Sequence, residues 1–193
     1  YLTVYPCGET RPNASNLNFV PGRSTPNSVL VGIGTGGDVC FYNSSATHLI
    51  VDVVGVLTSI AHTTATQPKR LVETRVGPLF TTFDGEYEEL GKVTAGSTHA
   101  FQVAPRAVNG DTRFVWLNVT SIQSEAGGFL TVYSCDIAQP NASNLNFPVG
   151  VTVANSVLVE IGESGDVCVY SSATTHLVVD LDGILINGYA PPV

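Results

Sequence analysis

Methionine is missing from this sequence, lysine occurs only as Lys69 and Lys92, and charged residues make up 12% of the 193. Six scattered arginines face sixteen acids, for a formal net charge of -8, so there is no basic stripe to neutralise phosphates and nucleic acid is a poor partner. Long hydrophobic runs are missing too. The longest, such as Leu49 to Val51 and Val53 to Leu57, are strand-sized, against the roughly 18 apolar residues of a spanning helix, so no membrane span is expected. No window of twelve residues carries a helical stripe, no C-x2-C pair offers zinc ligands, and no regular D-x-D spacing offers a calcium loop. We therefore expect no metal, no cofactor and no catalytic residues.

What is present is 44% hydrophobic residues with 19 glycines and 11 prolines, too apolar for disorder and punctuated throughout. The length suffices for one large domain or two small ones. The sequence opens on Tyr1, without an initiator Met or a signal-peptide h-region, which leads us to expect a mature or excised piece of a longer secreted protein.

Residues 1–57 align with 129–185 at a constant offset of 128, without a gap, and 34 of the 57 pairs are identical. Shared pieces include Leu2-Thr3-Val4-Tyr5 with Leu130-Thr131-Val132-Tyr133, Pro12 to Phe19 with Pro140 to Phe147, and Thr47-His48-Leu49 with Thr175-His176-Leu177. Between the copies lie a Thr-rich segment, 58–68, expected to be a linker, and residues 69–128, which have no counterpart in the chain. If 69–185 is one complete repeat unit, then 1–57 is the C-terminal half of another, and 186–193 is a tail.

Cys7 and Cys40 are 33 positions apart, as are Cys135 and Cys168. A pair at equal separation in each copy favours one disulfide within each, closing a loop worth roughly 3–4 kcal/mol in the chain-entropy model, in an oxidising, extracellular setting. Free thiols are the alternative, and the connectivity, including a crossed Cys7 to Cys168 pairing, is not readable from spacing.

Apolar positions alternate over short runs: Leu17 and Phe19; Val29, Val31 and Ile33; Leu49, Val51 and Val53. Arg70 to Thr74, His99 to Val103 and Arg113 to Ile122 read the same way. These are strands with a buried face, and their spacing predicts an all-β sandwich or barrel-like repeat unit, stapled by disulfides. A lone half-unit would expose strand edges and an apolar face. Three escapes exist: the two C-terminal halves share the single N-terminal half, a neighbouring chain adds strands, or further sequence lies upstream. Strand addition by identical subunits would propagate into a polymer.

Candidate chemistry is thin. Gly162-Glu163-Ser164-Gly165-Asp166 faintly resembles a protease nucleophile turn, but the first copy has Gly36 in place of the serine, and a Gly-rich hairpin turn explains both. His48 with Asp52, and His176 with Asp180, lie four apart on a strand, roughly 13 Å, too far to share one ion or proton. The two aspartates are expected to accept structural hydrogen bonds. Asn13, Asn16, Asn18 and Asn27, matched by Asn141, Asn144, Asn146 and Asn155, are expected to serve turns. Asparagines beside Tyr5, Tyr42 or Tyr170 could equally hold a sugar, so a glycan is a second candidate partner. The acidic run Glu86 to Glu89 reads as a solvated loop.

Five ordered motifs are together distinctive: Arg70-Leu71-Val72-Glu73-Thr74-Arg75, Trp116 to Thr120, Gly128 to Cys135, Ser143 to Phe147 and His176 to Gly183. They resemble the repeat domains found in tandem in large secreted or surface-attached proteins of actinobacteria, with phrases like RLLDTR, VLNVT, GYLTVYPC, SNLNF and HLVVDVxGYF. Glu73 departs from the commoner Asp, and Ile184-Leu185 from the aromatic ending. In a bacterial protein the glycosylation sequons at Asn13, Asn43, Asn118 and Asn141 would be coincidental. The resemblance implies a non-enzymatic extracellular module. Together with the repeat order it leads us to expect a structural or adhesive surface protein, associating with identical subunits or adjacent repeats into a fibre. A carbohydrate- or cell-wall-binding accessory module is the alternative, and a secreted hydrolase acting through Ser164 is a third reading from which no activity is expected.

Overall fold

The structure, a computed structural model, describes residues 1–13, 15–53, 56, 63–109 and 112–186. It is all-β: ten strands and no helix among the described residues. The chain divides into two compact units, Tyr1–Asp52 and Val53–Val193.

The second unit is a sandwich of two four-stranded antiparallel sheets. One is ordered β3 (Thr63–Glu73), β10 (His176–Ile186), β5 (Thr112–Ile122), β8 (Val153–Glu160); the other β4 (Ser97–Gln102), β9 (Asp166–Ser171), β6 (Gly128–Ser134), β7 (Leu145–Phe147). Alternation explains why. Along β5, Val115, Leu117, Val119 and Ser121 are buried while their neighbours are less so, the period-two signature of a strand with one inward face. Val167 and Val169 on β9, Leu130 and Val132 on β6, and Leu177, Val179 and Leu181 on β10 complete a shared core. Each such side chain contributes roughly 1.5–3 kcal/mol by leaving water.

Two expectations change here. The Thr-rich segment is linker at most as far as 62: from Thr63 onwards it is the first part of β3, pairing Thr63, Thr64 and Ala65 with Leu185, Ile184 and Gly183. β-branched threonines suit a pleated strand wherever a neighbour offers its edge. Residues 57–62, and the tail from 187, lie outside the described residues.

The first unit has a single two-stranded sheet, β1 (Leu2–Pro6) with β2 (Val39–Asn43). Its register, Leu2 opposite Asn43 through Pro6 opposite Val39, is that of β6 with β9 shifted by 128. The strands expected around residues 17–19, 29–33 and 49–53 do not form: Leu17 makes one isolated bridge to Leu2, and the other two runs are irregular. Their counterparts are β7, β8 and β10. The last two of those pair with β3 and β5, which have no counterpart in the first copy.

Candidate functional site

Two constellations stand out, a charged network at the end of β3 and a strand pair present twice. In the first, Arg70-Leu71-Val72-Glu73 runs along β3 and leaves the sheet at Thr74. The Glu73 carboxylate is wholly buried. Its Oε1 accepts hydrogen bonds from Arg75 Nε at 2.8 Å and from the Arg75 amide at 3.2 Å; its Oε2 accepts from Arg75 Nη2 at 2.7 Å and Arg70 Nη1 at 3.0 Å. Burial alone would raise its pKa, but these bonds and the two guanidinium charges outweigh it and hold the carboxyl below the usual range. Four accepted bonds leave it no free lone pair with which to act as a base.

The rest of the Arg70 fork reaches Asp180 on β10, Nε to Oδ1 at 2.9 Å and Nη2 to Oδ2 at 3.3 Å, and the bond to Asp180 is the main reason the arginine holds its proton more firmly than usual. Arg75 lies over the Phe80 ring at 4.1 Å. Nearby, Arg106 grips Asp84 with two bonds of 2.6 Å, donates to the backbone oxygens of Leu71, Glu86 and Gln102, and sits 4.9 Å from the Tyr87 ring centre. Burial pushes Asp84 up, and Arg106 more than reverses it. This network fastens the 77–90 loop to the sheet, so the acidic run is built into the loop: Glu88 accepts from the Thr82 amide at 2.9 Å and Glu89 from Gly77 at 3.2 Å.

The other candidates fall into place singly. His176 shares a 3.1 Å hydrogen bond with the Thr74 hydroxyl, which accepts from the Leu177 amide at 2.9 Å. Burial, then the charges of Lys92 and Arg75, lower the imidazole pKa. Asp182 is raised by burial and by Asp180. Ser164 donates to Asp166 at 2.9 Å in an exposed turn closed by Gly165 to Gly162, beside a cavity of ≈ 230 Å³. No group of three or more His, Cys, Asp or Glu among the described residues is placed to hold a metal.

In the second constellation the disulfide, the asparagine ties and an aromatic pair each occur twice. The cysteines close as Cys7–Cys40 and Cys135–Cys168. Asn16 accepts from the Val4 amide at 2.7 Å, and Asn144 from the Val132 amide at 2.7 Å. Asn27 donates to the Asn16 carbonyl, as Asn155 does to that of Asn144. Tyr1 and Tyr42 pack at 5.9 Å, Phe129 and Tyr170 at 5.8 Å. Arg11 lies over the Tyr42 ring at 3.8 Å. Asparagines thus tie the loop to the strand pair in both copies, a role beyond the turns expected of them. Sequence reasoning missed Arg106, Asp84 and the ionic part played by Glu73; the lone arginine in Val103-Ala-Pro-Arg106-Ala-Val108 was the available signal.

No family model matches the chain, and no curated protein matches it. Among solved structures it is similar to the coat protein of Tobacco streak virus, at 10% identity and a TM-score of 0.31, over 71% of this chain and 94% of that one. A likeness of that size leaves the architecture to be read from strand pairing alone.

Proposed function

We propose that this protein is a non-enzymatic, extracellular structural or adhesive repeat element, of the kind its motifs resemble in tandem-repeat surface proteins of actinobacteria, whose units join by strand complementation into a fibre. The observation carrying this reading is the duplicated strand pair: same register, same disulfide, same asparagine ties, embedded once in a sandwich and once without the long strands of the opposing sheet. Two disulfides fit an oxidising exterior. The charged groups at the best-built cluster are paired with one another, which suits fastening a loop more than turning over a substrate. Light scattering and negative-stain electron microscopy of the protein isolated in its native, full-length form test it. Regular filaments or strings of beads, shortened or loosened on reduction, are expected; a compact monomer removes the fibre.

A second reading has its own observation. Tyr42, flanked by Tyr1 and covered by the Arg11 guanidinium, presents aromatic and cationic groups at the surface of the first unit, a chemistry suited to a glycan or cell-wall polymer. Retention on insoluble polysaccharide that is lost with Tyr42→Ala and Tyr170→Ala, but kept with Tyr87→Phe, would favour it.

A further inference from the structure

Equivalent residues of the two copies meet different fates. Leu158 is 9% exposed and its counterpart Leu30 57%; Ile161 is 5% exposed and Ile33 61%; Val178 is 3% exposed and Ile50 88%. Leu49 and Val51 are exposed as well, where Leu177 and Val179 are buried. The sequences of these stretches are nearly the same, so the difference lies in what covers them. In the second copy, β5 lies between β8 and β10, and β3 pairs with the far edge of β10.

Charge follows the same pattern. Asp180 receives Arg70, and His176 receives Thr74, both from β3 and the residue after it. Asp52 and His48 are exposed, and among the described residues Asp52 has no arginine partner.

We infer that the exposed apolar residues of 29–33 and 48–52 are a docking site for a segment built like residues 69–122 and lying outside these 193: a strand carrying arginine opposite Asp52, and a long alternating strand like β5 to pair with both runs. This rests on the repeat reading above and names the partner of the same strands. A second copy of the chain cannot be the occupant in general. Two chains together hold four C-terminal halves and two 69–128 segments, so however the segments are exchanged, two of the four halves stay uncovered. The chain enters the strand pair in the same way in both copies. The nitrogen of Tyr1 donates to Ser44 at 2.6 Å where the Phe129 amide, which follows the donor segment directly, donates to Ser172 at 2.7 Å.

The test compares the 193-residue chain with the same chain carrying an added copy of residues 69–128 ahead of Tyr1, by amide hydrogen exchange. In the 193-residue chain, amides of 29–33 and 48–52 exchange freely while those of 155–161 and 176–181 are protected. In the extended chain the first set slows by about a hundredfold or more, towards the second. Leu117→Asp in the added copy alone abolishes that gain and leaves 155–181 protected. Free exchange at 29–33 and 48–52 in the extended chain overturns the proposal, as does protection that survives Leu117→Asp in the added copy. Concentration-dependent protection in the 193-residue chain overturns it too, by making a second copy the occupant. Absence of filaments in the native material would remove the fibre reading without touching this result.

Discussion

Arg70 and Asp180, 110 positions apart in sequence, are joined side by side across β3 and β10 by two hydrogen bonds of 2.9 and 3.3 Å. Opposite each other in the strand register, they sit where β3 carries an extra residue, Leu71, between the partners of Val179 and Asp180, so the pair fixes the register at a point where the ladder alone is irregular. Arg70 also donates to Glu73, so one guanidinium holds a carboxylate on each of two strands.

Because the pair is part-exposed, at 35% and 21% of side-chain surface, solvent screening limits its worth. Arg70→Ala is expected to cost about 1–2 kcal/mol in urea unfolding, with an unchanged m-value. Arg70→Lys keeps the charge but not the fork, and should recover less than half of the loss. A lysine variant as stable as the parent would show that charge, not two-pronged geometry, is what β10 requires.

Glu73 makes stability pH-dependent in a defined direction. Its pKa is lower in the fold than unfolded, so its contribution is fully present above the unfolded value of about 4.3 and drains away as pH falls towards the folded one. Glu73→Gln should lose about 1–3 kcal/mol at neutral pH, by weakening the bonds from two part-exposed guanidinium groups, and should flatten the acid limb of the stability curve below about pH 5. His176 acts with the same sign at higher pH. Held neutral by burial, it costs stability as pH falls below about 6.5, where the unfolded imidazole takes up a proton more readily. Thermal melts of parent, Glu73→Gln and His176→Gln across pH 3–8 separate the two limbs.

Asn144 supplies a side-chain acceptor to the Val132 amide in the middle of β6, and its own carbonyl accepts from Asn155. Asn144→Ala orphans that amide in a half-buried setting and is expected to cost about 1–3 kcal/mol. Asn144→Asp keeps the acceptor and should cost less. Equal losses for the two variants would place the role of Asn144 in the shape of its turn instead of in the bond.

The second unit was legible in sequence because alternation is a local signal and its partners exist: Val115, Leu117 and Val119 read as one face of a strand and lie on one. The same signal misled at Val29, Val31 and Ile33, where a strand pattern without β5 beside it has nothing to pair with. Period two states which face a strand would bury, not whether a neighbour is there to bury it. The Thr63–Pro68 stretch failed in the opposite sense, since composition reads as linker until β10 is known to run past it. The Arg70–Asp180 and Arg106–Asp84 pairs were invisible for a simpler reason. Each joins residues far apart in sequence, and no spacing rule links positions that only a sheet register or a folded loop brings together.

The two disulfides close loops of the same length but support unequal structures. In the chain-entropy model each constrains the unfolded chain by about 3–4 kcal/mol. The Cys135–Cys168 bond staples β6 to β9 within a sandwich whose core runs through eight strands, so the Cys135→Ser, Cys168→Ser double variant should still fold, with a lower melting temperature. The Cys7–Cys40 bond closes a unit with one two-stranded sheet, and a pair of strands alone is marginal in water. Cys7→Ser with Cys40→Ser is therefore expected to abolish amide protection throughout β1 and β2 while leaving β5, β9 and β10 protected. Limited proteolysis should then cut within residues 1–52 and spare 63–186. Survival of β1 and β2 protection without their disulfide would mean that the asparagine ties, Asn16 to Val4 and Asn27 to Asn16, hold the strand pair unaided.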